Sequence, residues 1–261
     1  TVMRRLKMCE KGWKRLWGAT KRKLPVTVDL IREVYENGGL DFRRWDDLMV
    51  MQGIVLAFSF LWRSCEYASR GGAIDRDKCL RVQHCLFAIG GSDTNAPLDT
   101  PIEEFACFHP TAKNDFLNQG SSNNIYADPN TPFCPVQLVN QSRAMRPQHY
   151  RTPTNYLLQC DDGSPVRKEK IEAALKAGSD RLGVPSVNIS SHSLRAGGAS
   201  AMWAMGKTDA EIQFRGRWRS LCWKIYVWGT RERQKDFGSS LWGTTTSLFA
   251  AVLASAGAVV G

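Results

Sequence analysis

Several features that mark common functional classes are absent from this sequence of 261 residues. It contains no run of about 18 apolar residues, so it predicts no membrane span. The motif G-x-x-x-x-G-K-[ST], whose backbone binds nucleotide phosphates, does not occur, which excludes a P-loop nucleotide hydrolase. The eight cysteines form no C-x-x-C pair and have no histidine at zinc-ligand spacing. We therefore expect no zinc site and interpret the cysteines as reduced, mostly buried thiols.

Basic side chains, in contrast, are in excess. The sequence has 35 lysines and arginines against 25 aspartates and glutamates, which gives a formal net charge of +10. A basic surface binds polyanions because binding releases the counterions that surround their phosphates. The charge therefore indicates a polyanionic partner, although basic proteins without a nucleic-acid role are common. The length predicts one main domain with at most a small addition.

The hydrophobic pattern is mainly helical. Apolar residues recur at helical spacing between about 46 and 61, which predicts a buried helix. Between about 78 and 125, short β-prone runs alternate with turn formers. Thr27 or Asp29 is expected to cap an earlier helix, which residues 37–39 end. We therefore predict a mostly α fold with a small antiparallel β-sheet. Further helical spacing covers residues 133–160, 168–182, 193–205 and 208–215.

The strongest local motif is S-H-S-L-R-A-G-G-A at residues 191–199. If Ser193 or its neighbour begins a helix, His192 and Arg195 lie about one turn apart near its N-terminus. That end carries partial positive charge and free N–H groups, both of which suit a phosphate. The arginine adds a forked donor for two phosphate oxygens, and the histidine can exchange a proton near neutral pH. The same spacing also fits a capping histidine beside a surface arginine.

Three further motifs accompany this one in the chain. The segment G-R-W-R-S at 216–220 precedes Tyr226, and residues 63–66 place an arginine three positions before a glutamate. The segment T-A-K-N-D-F at 111–116 lies in the predicted sheet region. In this order, the four motifs resemble the catalytic core of the tyrosine recombinases, the family of the phage integrases. The resemblance spans about residues 20–235.

The resemblance implies a site-specific recombinase that breaks and rejoins DNA strands. Arg63 and Arg195 would bind the scissile phosphate and stabilise the negative charge of the transition state. Tyr226 would be the nucleophile, forming a 3′-phosphotyrosine and leaving a free 5′-hydroxyl. Because two arginines supply the positive charge, the resemblance implies no metal and no cofactor. Because the phosphotyrosine bond keeps the energy of the broken bond, rejoining needs no ATP.

Proton transfer and support would fall to other residues of the same motifs. Lys113 would protonate the departing 5′-oxygen, and Lys78 is the alternative lysine. His192 would assist proton transfer at the nucleophile. Glu66 would lie behind the reacting atoms and hold Arg63 or His192 in place. The resemblance thus implies a set of side chains drawn from the whole length of the chain.

One position departs from the usual pattern of the family. Many members have a glycine followed directly by histidine or tryptophan, with the tyrosine nine positions further on. Here Gly216 is followed by Arg217, nine positions before Tyr226, whereas Trp218 lies eight positions before it. We predict that Trp218 fills the His/Trp position and packs against, or hydrogen-bonds, the phosphate. The alternative is that Arg217 points into the site.

The resemblance also implies a domain organisation. Residues 1–23 are dense in lysine and arginine, with Trp13 and Trp17 interleaved. They suit phosphate contacts and are interpreted as the remnant of an N-terminal core-binding domain that clamps DNA. The catalytic domain is expected over residues 24–240. The tail at 241–261 contains an apolar stretch suited to a helix that docks on a neighbouring subunit.

Double-stranded DNA is the partner that the resemblance implies, bound by a homotetramer that passes through a Holliday junction. No membrane partner and no small-molecule cofactor are expected. The expected location is intracellular and DNA-associated, with the cytoplasm or nucleoid and the nucleus as open alternatives. The target site, and the choice among integration, excision and resolution, stay open. Two other functions fit the same motifs. One is a non-catalytic DNA-binding protein derived from a recombinase, and the other is a type IB topoisomerase.

Overall fold

The computed structural model describes residues 23–93, 98–110 and 120–227, which form helices around one small sheet. The predicted fold class, mostly α with a small antiparallel sheet, is confirmed. No helix in these ranges is both long and apolar enough to cross a membrane. The helices are α1 (Val28–Asn37), α2 (Trp45–Ser59), α3 (Pro135–Met145), α4 (Lys168–Arg181), α5 (His192–Ala204) and α6 (Asp209–Gly216), and the strands are β1 (Cys85–Ile89), β2 (Ser92–Asp93), β3 (Glu104–His109) and β4 (Ser121–Tyr126).

Helix α2 forms the centre of the main hydrophobic core. Its side chains are buried almost all the way round, because α1, α3, α4 and α5 all pack against it. A helix that is apolar on every face is stable only in such an interior position. At its start, Trp45 donates its indole N–H to the carbonyl of Gln159 at 2.7 Å. In α1, Thr27 is the capping residue, since its hydroxyl accepts from the amide of Leu30 at 3.2 Å.

The sheet lies beside this core with the strand order β2-β1-β3-β4, and all neighbouring strands are antiparallel. Phe105 and Cys107 point inward from β3, and Phe105 meets Phe60 edge to face at a centroid distance of 5.9 Å. Cys85 and Cys107 are opposite each other in the register, with their Sγ atoms 3.7 Å apart. Every cysteine of the described ranges is a free thiol.

The helix-like spacing over residues 133–160 extends further than the helix itself. Helix α3 ends at Met145, and Pro147 starts a short 3-10 turn. Beyond it, the backbone carbonyls that a helix would have paired internally are bound by the buried side chain of Arg146. Its guanidinium donates to the carbonyls of Tyr150, Tyr156 and Leu157. Other carbonyls of this segment accept from backbone amides, among them that of Asn155 from Val82.

Two adjacent glycines bring α5 close to the end of α2. A Cβ on Gly198 would lie inside van der Waals contact with the carbonyl oxygen of Phe58, and a Cβ on Gly197 would do the same with the carbonyl of Val26. Backbone atoms cannot move aside as a side chain can. The glycines therefore allow the close approach that positions the start of α5.

Replacing Gly198 by alanine is expected to lower the free energy of unfolding by about 1–3 kcal/mol, the usual cost of overpacking. This loss would occur although alanine favours helix by about 1 kcal/mol. Gly53→Ala in α2 is the matched control, because its Cβ would meet only the side-chain ends of Ile171 and Leu158, at 3.1 and 3.2 Å. Urea denaturation of both variants measures the difference. An equal or larger loss in Gly53→Ala would contradict the close-approach argument.

Candidate active site

The site begins where α2 ends. Leu61 has a left-handed backbone with φ of 53°, which turns the chain towards Arg63. Arg63 is held by Glu66, since its Nη1 donates to the carboxylate at 2.9 Å and its amide donates at 2.7 Å. Glu66 is buried, whereas 24% of the Arg63 side chain is exposed. The carboxylate therefore fixes an arginine that still reaches the surface.

Arg195 lies in the first turn of α5 and is almost fully buried. Its Nη1 donates to the carbonyl of Leu61, and its Nη2 donates to the carbonyl of Gly216 at 2.5 Å. A guanidinium group has five N–H donors, so these two bonds leave others for a ligand. Burial lowers the pKa of Arg195, and the positive charges of Arg63 and Arg217 lower it further. The lowered pKa of Arg195, about 9, is still above neutral pH, so the guanidinium stays charged.

The chain after α6 separates two neighbouring side chains. Arg217 has a left-handed backbone with φ of 56°, and its Nη2 donates to the Glu66 carboxylate at 2.6 Å. The ring of Trp218 instead packs on Arg195, with its centroid 4.0 Å from the guanidinium carbon. It also lies 5.3 Å from the ring of Tyr226. Trp218, and not Arg217, is therefore the residue that faces Arg195 and the tyrosine.

Tyr226 follows the 3-10 helix Leu221–Ile225. Its ring centroid lies 5.0 Å from that of His192 and 6.0 Å from the guanidinium carbon of Arg195. The hydroxyl of Ser200, on α5, shares its hydrogen between the carbonyls of Ala196 at 2.8 Å and Tyr226 at 3.3 Å. The phenol is thus brought to the start of α5, where His192 and Arg195 lie.

His192 is the first residue of α5. Partial desolvation of its imidazole lowers the pKa below the ordinary value, and the positive charges of Arg195 and Arg63 lower it further. The ring is therefore neutral at pH 7 and can accept a proton. The helix start is itself held by α4, because Glu172 accepts from the amide of Ser191 at 2.8 Å.

If His192 accepts the proton of the nucleophile, the rate of strand cleavage should fall on the acid side only below the ordinary imidazole pKa of about 6.5. A base must be deprotonated to act, so a lowered pKa keeps it active to lower pH. Single-turnover cleavage measured from pH 5 to pH 8 gives this acid limb. In Arg63→Gln, one cation fewer faces the ring, so the limb should move to higher pH. A limb that stays in place in this variant would contradict the argument.

Of the two lysines proposed as proton donors, only Lys78 lies in the part of the chain that the structure describes. Lys113 lies outside the described residues. Lys78 forms an ion pair with Asp75 at 2.5 Å, and this hydrogen bond raises the pKa of the lysine. A raised pKa makes a weaker acid. The choice between the two lysines stays a prediction.

His109, at the end of β3, was not identified from the sequence. It is buried on the inner face of the sheet, 6.1 Å from the ring of Trp62. Burial, with the charge of Arg217 adding to it, lowers the pKa of His109 to about 3. The imidazole is therefore neutral and adds no charge. The signal available in the sequence was the spacing of two residues, which places His109 on the same face of the strand as Phe105 and Cys107.

The described residues contain no group of histidines, cysteines and carboxylates able to hold a metal ion. What they bring together is a phenol, a neutral imidazole and a concentration of guanidinium groups around one buried carboxylate. Such a cluster can bind a phosphate diester and supply a nucleophile and a base to it. The side chains are Arg63, Glu66, His192, Arg195, Arg217, Trp218 and Tyr226.

Solved structures of one recombinase are similar to this chain. A XerH site-specific recombinase, in a post-cleavage complex with a palindromic difH substrate, matches with a TM-score of 0.58 and 13% identity. The match covers 86% of this chain and 55% of that one. Its pre-cleavage complex with difH matches with a TM-score of 0.54, 14% identity, and coverages of 86% and 56%. This chain therefore spans little more than half the length of that recombinase.

At this level of identity, the similarity concerns the fold. The chain has the mostly helical fold, with a small antiparallel sheet, that is found in the catalytic domains of tyrosine recombinases. No known protein family matches the sequence, and no curated protein is significantly similar to it. The similarity of structure therefore stands without a similarity of sequence.

Proposed function

We propose that this chain is the catalytic region of a site-specific DNA recombinase that cuts and rejoins strands through a 3′-phosphotyrosine at Tyr226. The observation that carries the proposal is the meeting of the Tyr226 and His192 rings beside the guanidinium of Arg195. These residues come from separate segments, and each is of the type that phosphodiester cleavage requires. The recombinase fold of the chain supports the same conclusion.

In the proposed reaction, Arg63 and Arg195 bind the two non-bridging oxygens of the scissile phosphate. Each guanidinium is held by the protein before the substrate arrives, one by Glu66 and the other by two backbone carbonyls. Preorganised donors of this kind stabilise the charge that develops in the transition state without further reorganisation. Trp218 limits the movement of Arg195, because its ring covers one face of the guanidinium.

The covalent step exchanges one phosphate ester for another. The Tyr226 oxygen forms a bond to phosphorus while the bond from phosphorus to the 5′-oxygen breaks. His192 takes the phenolic proton, and Lys113 gives a proton to the departing 5′-oxygen. Because the new ester is similar in energy to the old one, attack by a 5′-hydroxyl reverses the step. Strand exchange follows when that hydroxyl belongs to the other duplex.

Partner and domain assignments belong to the same proposal. The net charge of +10 supports double-stranded DNA as the partner. Four copies would act on two duplexes, and the apolar tail within 241–261 would dock on a neighbouring copy. Residues 1–23 would end a DNA-clamping domain, and 24–240 would be the catalytic domain. The parts of these segments before residue 23 and after residue 227 lie outside the described residues.

The test is capture of a covalent adduct. The full chain is incubated with nicked duplexes of randomised sequence, in which the short strand after the cleaved bond diffuses away and traps the intermediate. Adducts are isolated in detergent, digested with protease and analysed by mass spectrometry. We expect a nucleotide on the peptide that contains Tyr226. DNA binding without any adduct would instead support the non-catalytic protein derived from a recombinase.

A second measurement separates recombination from topoisomerase activity, using the sequences that the adducts reveal. Two labelled duplexes with the selected site are mixed with the chain, and joined products are counted. A recombinase exchanges partners between duplexes, whereas a type IB topoisomerase relaxes a supercoiled plasmid and reseals the original strands. Relaxation without exchange would therefore overturn the proposal in favour of the topoisomerase.

A further inference from the structure

A third arginine lies behind the two that would bind phosphate. The side chain of Arg217 is only 3% exposed. Its Nη2 donates to the Glu66 carboxylate at 2.6 Å, and its Nη1 donates to the carbonyl of Phe60 at 3.3 Å. Both terminal nitrogens are thus directed into the protein. Arg217 supports the site from behind and does not line it.

Glu66 is shared between two cations. One carboxylate oxygen accepts from Arg63 and the other from Arg217. Burial opposes the ionisation of Glu66, yet Arg217, and to a smaller extent Arg63, hold its pKa below the ordinary value. The carboxylate is therefore ionised. One negative charge cannot cancel two positive ones, so the three side chains keep one net positive unit.

We propose that Arg217 is a positioning residue that neutralises Glu66, so that Arg63 keeps its charge and its free donors for the scissile phosphate. The inference rests on the proposed function. Without Arg217, the charge of Glu66 would be compensated by Arg63 alone, and that pair would be neutral. His109 is a poor substitute for the missing cation, because burial is the largest cause of its lowered pKa and would persist without Arg217.

The same inference explains why an arginine stands directly after Gly216, nine positions before Tyr226. The left-handed backbone at Arg217 turns its side chain inward to Glu66, while the next residue faces Arg195. L-residues seldom adopt this conformation, which costs about 1 kcal/mol or more. The side chain of this strained residue is the one that binds Glu66. Arg217 therefore supplies charge to the site, while Trp218 is the residue that faces Arg195.

The test compares single-turnover cleavage by four proteins: the natural chain, Arg217→Met, Arg217→Lys, and the double variant Arg217→Met with Glu66→Gln. All three residues at 217 are unbranched, so the backbone strain is matched. We expect Arg217→Met to cleave about 10- to 100-fold more slowly. This loss is smaller than the roughly 10²–10³-fold loss that follows removal of a donor in direct contact with the transition state. Arg217→Lys should recover part of the rate. The double variant should cleave at least about fivefold faster than Arg217→Met, because removing both charges restores the net charge of the site.

Two results would overturn the inference. If Arg217 only held the chain after α6 in place, Glu66→Gln would not improve the rate of Arg217→Met, since the bond to Phe60 would still be missing. If Arg217 touched the phosphate, the double variant would likewise be as slow as the single one. Rates are compared at saturating DNA and corrected for the folded fraction measured by circular dichroism. Instability therefore cannot imitate the effect.

An arm without catalysis separates this inference from the proposed function. Inorganic phosphate replaces chloride at constant ionic strength, and the rise in Tm is recorded for each protein. The rise should shrink in Arg217→Met and return in the double variant. Arg146→Met is the control, because Arg146 is also buried and bound to backbone carbonyls. It should lose stability but keep the phosphate-dependent rise. If the Tm values follow this pattern but no covalent adduct forms, the proposed recombinase function is wrong and the role of Arg217 in phosphate binding stands. If an adduct forms but all four proteins cleave at equal rates, only the role of Arg217 is wrong.

Discussion

Replacing Tyr226 by phenylalanine is expected to abolish the covalent adduct with DNA, lowering its rate of formation on the order of 10⁴-fold or more. The phenolic oxygen is the only atom removed, and it is the atom that would bond to phosphorus. The ring contacts with His192 and Trp218 would remain, because they do not involve the hydroxyl. Unfolding stability should therefore change by less than about 0.5 kcal/mol. Gel analysis of adducts and urea denaturation give the two quantities.

Tyr126→Phe is the matched control for this prediction. Tyr126 is the last residue of β4 and is 63% exposed. Its adduct yield should equal that of the natural chain. An adduct that persists in Tyr226→Phe would show that another side chain is the nucleophile, and the proposed mechanism would be wrong.

Arg195→Lys is expected to lower single-turnover cleavage by about 10²–10³-fold, the cost of losing one preorganised transition-state donor. Lysine keeps the charge, but a single ammonium cannot bind the carbonyls of Leu61 and Gly216 and still present a fork to phosphate. Stability should fall as well, by about 2 kcal/mol, because two buried carbonyls lose a charged donor. The rate on folded protein, and the urea midpoint, check the two effects separately.

Arg146→Lys isolates the catalytic part of that effect. Arg146 is buried to a similar extent and binds three backbone carbonyls, but it lies next to Trp45 at the far end of α2. Its replacement should cost stability of the same order. The cleavage rate per folded molecule should stay that of the natural chain. Equal rate losses in both variants would mean that Arg195 acts only through folding.

Local spacing made parts of the site predictable. Arg63 and Glu66 are three residues apart, so a single turn brings them together, and the sequence predicted their pairing. His192 and Arg195 share the first turn of α5 for the same reason. Long helical periods likewise predicted α2 and α4 to within two residues. Each of these inferences needed only contacts between neighbours in the chain.

Contacts between distant residues were not predictable in this way. The ion pair of Arg217 with Glu66 joins positions 151 residues apart and depends on a left-handed backbone that the segment G-R-W does not reveal. The inward orientation of His109 required the sheet to be placed on the core. The segment after Met145 has apolar residues at helical spacing and was predicted to be helical. In the structure, the side chain of Arg146 binds carbonyls of this segment that a helix would pair with backbone amides.

The two carbonyl bonds of Arg195 have a consequence for how the protein becomes competent. Leu61 lies early in the chain and Gly216 late, so the arginine is oriented only when both segments are docked. Ser200 binds the Tyr226 backbone from the same helix. A molecule whose late segment is undocked therefore lacks one of the two carbonyls that orient Arg195 and also the Tyr226 ring beside it.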